Sequence, residues 1–310
     1  MIKYGYLALV LILVLSLISC QSKEQGIARA NKNLGTKSNP IKMYFVPSME
    51  AGKVVTSGEA IAAYLHKETG YFFKIAVPTS YAAVIEALGT NQADVAWLST
   101  YAYILAKQKY NANVRMMTVR NGLKTYRGQF VAATNSGIKS LEDIEGKVIA
   151  YTDAASTSGY IYPSAILKQK NITPKEIFYA GGHPQAILAV YSGRADVACT
   201  YWSPADQTGK PKDAREKLFE THKDIFEKIA IIGFTDEIPN DTVTFRSSIP
   251  KEIEQKIVSS LMSFSRSETG KDALKKLYDI DGLEEASDAD YEVVRTTLKA
   301  LGMDPAAMLK

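Results

Sequence analysis

Ser156-Thr157-Ser158-Gly159 places three consecutive hydroxyls and a glycine after an apolar run, residues 148–151, and before an apolar-periodic one, residues 161–167. That order reads as a strand end, a hydroxyl cluster and the start of a helix. A helix N-terminus carries unpaired backbone N–H groups and a partial positive charge. Hydroxyl donors there, beside a glycine that admits close approach, make a cradle for an anion. Three other expected helix starts share this character: Ser80-Tyr81, Ser99-Thr100 and Gly182-His183-Pro184. They bring hydroxyls, a phenol and an imidazole, with hardly a lysine or arginine among them, which suits a small oxyanion held by neutral dipoles. Asp241, in Pro239-Asn240-Asp241-Thr242, would repel such a ligand unless a proton lay between them. It therefore reads as an acceptor for a ligand hydroxyl or ammonium.

These residues need a scaffold that brings distant loops together. From Pro40 onward, short apolar runs at 41–46, 71–77, 94–98, 148–152, 176–179 and 196–200 alternate with helical patterns of ten or so residues. Such alternation predicts parallel or mixed sheets covered on both faces. The first helix is expected from about Gly58, capped from Thr56; residues 210–227 read as helix-like, and the chain as helical from Lys251 to its end. One piece occurs twice: an Ala-rich helix leads into Ala93-Asp94-Val95-Ala96 and again into Ala195-Asp196-Val197-Ala198. Tyr81 stands as far before Asp94 as His183 before Asp196, so both should begin helices at the carboxyl edges of their sheets, where open α/β sheets bind ligands. Two similar lobes facing across a cleft follow, with residues 40–128 and 243–310 in one and 129–242 in the other. The hinge is expected near Gly128 and near residues 242–246.

Lys3 and the apolar residues 7–18, too short a run for a spanning helix, read as a signal peptide over residues 1–19. It closes on Leu17-Ile18-Ser19-Cys20, which resembles a bacterial lipobox and implies acylation of Cys20. Residues 20–39 then read as a polar tether. Of the 2 cysteines, Cys199 lies in an apolar run and is assigned no chemistry. A net charge of +4 without basic clusters argues against a nucleic-acid partner.

Together with the hydroxyl cluster, Gly181-Gly182-His183, the paired Ala-Asp-Val-Ala strands and Ile238-Pro239-Asn240-Asp241 resemble the phosphate-, phosphite- and phosphonate-binding lipoproteins of ABC importers, over about residues 40–280. The resemblance implies an α/β, two-lobed type II periplasmic binding protein with its ligand cleft between the lobes. It places Tyr81, Tyr103, Ser156, Thr157, Ser158, His183 and Asp241 on positions that contact a PO₃ group. It implies a monomer that delivers a small phosphorus anion to a permease and its ATPase, with neither cofactor nor metal. The protein would reside in the cell envelope, in the periplasm or anchored through Cys20 to the outer face of the cytoplasmic membrane. Two departures bear on the ligand. Ser99-Thr100 stands where many relatives have Gly-Pro and adds two hydroxyl donors. Thr200-Tyr201-Trp202-Ser203 stands where phosphonate binders often carry an acid, and Tyr201 and Trp202 keep open an aromatic phosphate such as a thiamine phosphate. A Ser/His hydrolase is a weaker alternative: there is no Gly-x-Ser-x-Gly elbow, and only 3 histidines.

Overall fold

The computed structural model describes residues 24–302; Cys20 and the expected signal peptide lie outside them. The elements run β1 (Ile41–Phe45), α1 (Ala51–Thr69), β2 (Phe73–Ala76), α2 (Tyr81–Gly89), β3 (Val95–Leu98), α3 (Thr100–Tyr110), β4 (Asn113–Val119) and β5 (Thr125–Ala133). Then come β6 (Val148–Tyr151), α4 (Tyr162–Gln169), β7 (Glu176–Tyr179), α5 (His183–Tyr191), β8 (Val197–Ser203), β9 (Lys212–Asp213), α6 (Ile225–Lys228) and β10 (Ile229–Pro239). The chain closes with β11 (Thr242–Phe245), α7 (Lys251–Arg266), α8 (Glu268–Tyr278), β12 (Gly282–Glu285) and α9 (Glu292–Ala300).

Two sheets result, in the orders β12-β4-β11-β3-β1-β2 and β10-β5-β8-β6-β7. In each, the βα units pair in parallel, β2–β1–β3 and β7–β6–β8, while later strands add antiparallel. This is the mixed α/β, two-lobed architecture that strand–helix alternation demands.

The repeated aspartates explain why the two halves build alike. The Asp94 carboxylate accepts the Lys42 N–H on β1 at 2.8 Å, and the Asp196 carboxylate accepts the Val148 N–H on β6 at 2.8 Å. Each aspartate also donates its own N–H back to the same residue's carbonyl. A charge-assisted clamp thus ties the start of one strand to the start of its parallel neighbour, where no ladder bond would otherwise close the edge.

The chain passes between the sheets at residues 120–124 and again at 240–241. The first crossing comes earlier than expected, because β5 begins pairing with β10 at Thr125↔Pro239. Gly128 is therefore inside β5, where its N–H meets Thr235 Oγ1 at 2.8 Å. An added Cβ would press on Thr235 and on the Ser158 carbonyl, so close packing selects this glycine.

Residues 24–39 are not the free tether expected of them. Residues 24–31 are helical, Leu34 is buried in the first lobe, and Asn31 Oδ1 accepts from Arg246 at 2.6 Å. An apolar side chain and a guanidinium in need of an acceptor hold the segment down. Three further expectations change. The first helix starts at Ala51, and Gly58 lies inside it, against Phe45 and Ile75, with no room for a Cβ. Residues 210–227 form β9, a 3₁₀ turn and part of a short helix, because β9 completes an edge against β8. The stretch after Lys251 includes β12, which pairs with β4. Among the described residues, no helix is long and apolar enough to cross a membrane.

Candidate functional site

A cavity of about 40 Å³ lies between the sheets, lined among others by Ser48, Tyr81, Ser99, Ser156, Ser158, His183, Tyr201 and Asp241. Seven of the ten expected ligand residues are in that lining. Arg120, Tyr126, Ser203, Lys217 and Tyr278 join them, and composition alone did not single them out.

The hydroxyl cluster forms the second lobe's wall. After β6, Ser156 Oγ accepts the Gly159 N–H at 3.1 Å and starts a single π-helical turn, Thr157–Ile161, that leads into α4. The wider turn fans the residues out and is a form enriched at functional sites. Gly159 is required here, since a Cβ would run into the Thr152 side chain and Ser156 Oγ. Ser156 and Ser158 line the cavity while Thr157 does not. Thr157 Oγ1 instead accepts the Tyr101 N–H at 2.8 Å.

That bond belongs to a set that crosses the cleft. The His183 N–H donates to the Ser48 carbonyl at 3.1 Å, the Tyr81 N–H to Asp153 Oδ2 at 3.4 Å, and Ser99 Oγ to the Ala155 carbonyl at 3.0 Å. The starts of α2, α3 and α5, expected to point free N–H groups at an anion, are thus satisfied by acceptors of the opposite lobe. They latch the lobes together. Their side chains, Tyr81 and His183 in particular, still line the cavity.

Three expected ligand residues lie elsewhere. Thr157 is in the latch. Thr100 is fully buried and donates to the Pro239 carbonyl at 2.5 Å, bracing the second crossover. Tyr103 donates to Asp288 Oδ1 at 2.5 Å and packs edge-on against Tyr291, 5.1 Å between centroids. Both sit on the side of α3 turned from the cleft, because a helix carries neighbouring positions to different faces. Along β8 the period of two decides the outcome: Tyr201 and Ser203 face the cavity, whereas Trp202 packs on Phe234 at 4.9 Å.

The charge arrangement differs from the neutral site expected. Arg120, in the first crossover, donates from Nη2 to Asp241 Oδ2 at 2.7 Å and from Nε to the Tyr278 carbonyl at 3.0 Å. Asp241 therefore stands beside a guanidinium, which removes the repulsion that made it conspicuous in the sequence. Lys217 adds a second cation to the lining. Burial works against the Arg120 charge, but Asp241 more than compensates and raises its pKa. His183 goes the other way: burial first, and Arg120 second, pull its pKa down to about 3. Burial, with Asp153 and then Asp241 adding to it, pushes the Tyr81 phenol well up. At neutral pH the cavity thus presents protonated phenols, serine hydroxyls and a neutral imidazole, with Arg120 paired to Asp241 and Lys217 paired to Glu216 and Asp279. The sequence signal for Arg120 is its place in the crossover, Arg120-Asn121-Gly122, where a chain that joins two lobes borders their cleft.

Residues 43–291 match the family model described as "ABC transporter, phosphonate, periplasmic substrate-binding protein". The chain is 25% identical over 221 residues to the phosphonates-binding periplasmic protein of Escherichia coli, covering 69% of this chain and 62% of that protein. It is 25% identical over 182 residues to the phosphate-import protein PhnD of Mycolicibacterium smegmatis, covering 54% and 57%. The chain thus spans about three-fifths of the length of these curated relatives. In fold it is similar to a binding protein component of an ABC phosphonate transporter from Pseudomonas aeruginosa, with a TM-score of 0.73, 20% identity and coverage of 87% and 96%. It is also similar to PhnD1 from Prochlorococcus marinus in complex with methylphosphonate, with a TM-score of 0.72, 15% identity and coverage of 85% and 98%. With four-fifths of its length matching that model, the chain belongs to the family of periplasmic substrate-binding proteins of phosphonate ABC transporters.

Proposed function

We propose that this chain captures a small tetrahedral phosphorus oxyanion, a phosphonate with a small substituent, phosphite or phosphate, by closure of its two lobes. It then presents the closed form to a membrane permease and its ATPase, acting as a monomer held to the envelope through acylated Cys20. The observation that carries this reading is the size and lining of the cavity. A water needs about 10–15 Å³ of such space, so about 40 Å³ accommodates three or four waters, or one anion of about five heavy atoms. Hydroxyls from both lobes, with Arg120 and Lys217, supply donors for the oxygens, each charge-assisted bond adding about 1.5–3 kcal/mol. Lobe closure around such a ligand is a hinge motion about the two crossovers.

The same geometry disfavours the alternatives. A thiamine phosphate needs a ring platform, yet Trp202 packs on Phe234, and Tyr201 meets the His183 ring edge-on at 4.9 Å. A hydrolase needs a serine hydrogen-bonded to the histidine and an acid behind it. The His183 ring bonds instead to the Thr152 hydroxyl.

Thermal unfolding against phosphate, phosphite, methylphosphonate and thiamine phosphate tests the proposal. Ligand at a hundred times its dissociation constant adds about 2.7 kcal/mol. Stabilisation by one of the first three supports it, and no shift with any of them overturns it. A shift with thiamine phosphate alone favours the aromatic ligand.

A further inference from the structure

Thr152 is the first residue after β6, wholly buried, with its hydroxyl against the His183 ring. Its hydroxyl lies 3.1 Å from His183 Nδ1 and 3.2 Å from the Cys199 carbonyl oxygen. A hydroxyl has one proton, and a carbonyl oxygen only accepts. Donation to Cys199 leaves Thr152 with lone pairs toward the imidazole, so both contacts are hydrogen bonds at once only when the neutral ring carries its hydrogen on Nδ1. Among the described residues this is the one hydrogen bond of the ring, whose plane is set by the edge contact with Tyr201. His183 also lines the cavity, and among the described residues Nε2 is the ring nitrogen with no hydrogen-bond partner.

We propose that Thr152 is a positioning residue that holds His183 in its Nδ1–H form, so that Nε2 meets the ligand as an acceptor and selects an oxyanion that carries a P–OH. The proposal rests on the reading of the cavity as a phosphorus-oxyanion site and names the form bound: the singly protonated anion. Sulfate, which has no proton to give at neutral pH, would turn an oxygen lone pair toward Nε2 and bind poorly. Protonation of the ring does not rescue that contact, because the groups around it oppose it. Arg120 and Lys217 are cations on the cavity wall, Tyr81 and Tyr201 stay as phenols, and Cys199 stays a buried thiol. The one carboxylate lining the cavity, Asp241, is engaged by Arg120.

The direct experiment is ¹⁵N NMR of the histidine rings in the ligand-free full chain, with His66→Gln and His222→Gln to assign the two exposed rings. The expected result is an Nδ1–H, bare-Nε2 signal for His183 that does not titrate down to about pH 5. An Nε2–H signal, or a ring that titrates near its ordinary value, overturns the proposal. Methylphosphonate affinity is expected to fall toward tenfold per pH unit above the ligand's second ionisation; affinity that rises there overturns it too. Thr152→Val is expected to mix the tautomers and weaken methylphosphonate binding about tenfold, and Thr152→Ser to restore both. A folded Thr152→Val protein with unchanged tautomer and affinity counts against it; if that variant does not fold, the native-chain spectrum decides. An Nε2–H ring with normal binding removes this inference alone. An Nδ1–H ring with no binding of methylphosphonate, phosphite or phosphate removes the proposed function along with it.

Discussion

Asp94 and Asp196 occupy matching places in the two lobes and clamp matching strands, yet their surroundings differ. Asp94 is wholly buried and takes the Arg246 Nε–H at 2.7 Å, while Arg246 in turn reaches Ser248 and Asn31. Among the described residues, the Asp196 partners are the backbone groups of Val148. The same division holds at the cleft. The first lobe contributes Ser48, Ser99 and the Tyr81 and Tyr278 phenols, whereas the second contributes Ser156 and Ser158 of the π-helical turn and the His183 ring. A repeated scaffold secures the geometry of both walls, and unlike side chains on it divide the labour. The first lobe backs its strand clamp with a buried ion pair, and the second supplies the hydroxyl turn and the imidazole.

Removing one partner of the buried pair tests this contrast most severely. Arg246→Met strands the Asp94 carboxylate and is expected to cost about 3–5 kcal/mol in urea unfolding. Asp196→Asn, which loses charge assistance on the single bond from the Val148 N–H, is expected to cost clearly less, about 1 kcal/mol. Equal losses would mean that the lobes do not differ as described. In the crossover that joins them, Arg120→Gln leaves Asp241 facing the ligand without its cation. Calorimetry is expected to show methylphosphonate binding weakened about a hundredfold, equivalent to about 2.7 kcal/mol.

Acid stability sharpens the comparison between Tyr81 and His183, the paired helix starts. The folded His183 ring has a pKa of about 3, below the ordinary value near 6.5, so the unfolded chain takes up a proton that the folded chain refuses. Stability from this group is therefore whole above about pH 6.5 and falls as pH drops toward 3, by about 1.4 kcal/mol per unit. At pH 5 the expected loss is about 2 kcal/mol, and His183→Gln should remove that slope. Tyr81→Phe should leave it unchanged.

The smallest effects separate ligand contact from latch. Ser156→Ala is expected to weaken binding about tenfold and to cost about 1 kcal/mol of stability through its lost cap. Thr157→Val breaks the bond to the Tyr101 N–H and removes the hydroxyl beside Tyr126, so binding should fall about fivefold while small-angle scattering shows a more open apo form. Tyr103→Phe should not change affinity at all, because its hydroxyl serves Asp288.

Much of this is legible in the sequence alone. Strand–helix alternation predicted the α/β lobes, and the twin Ala-Asp-Val-Ala pieces predicted that Tyr81 and His183 begin equivalent helices, as they do. The hydroxyl cluster after β6 was recognisable because strand, hydroxyls, glycine and helix follow one another within a few residues. Other features were hidden for definite reasons. The helix-like charge pattern of residues 210–227 gave no hint of β9, whose partner β8 is earlier in the chain. Thr100, Tyr103 and Thr157 had the right chemistry, but which face each presents depends on helix phase and on what the opposite lobe offers.

Local order along the chain thus determined the class of fold, the repeated unit and most of the cavity's hydroxyls, since these depend on periodicity and on neighbours a few positions apart. Only the tertiary structure decided that Arg120 meets Asp241 across 121 positions. It alone revealed that helix starts close on the facing lobe, and that Thr152, Cys199 and His183 meet behind the cavity. Those contacts join residues from separate elements, and their energies appear only once folding has removed the water between them.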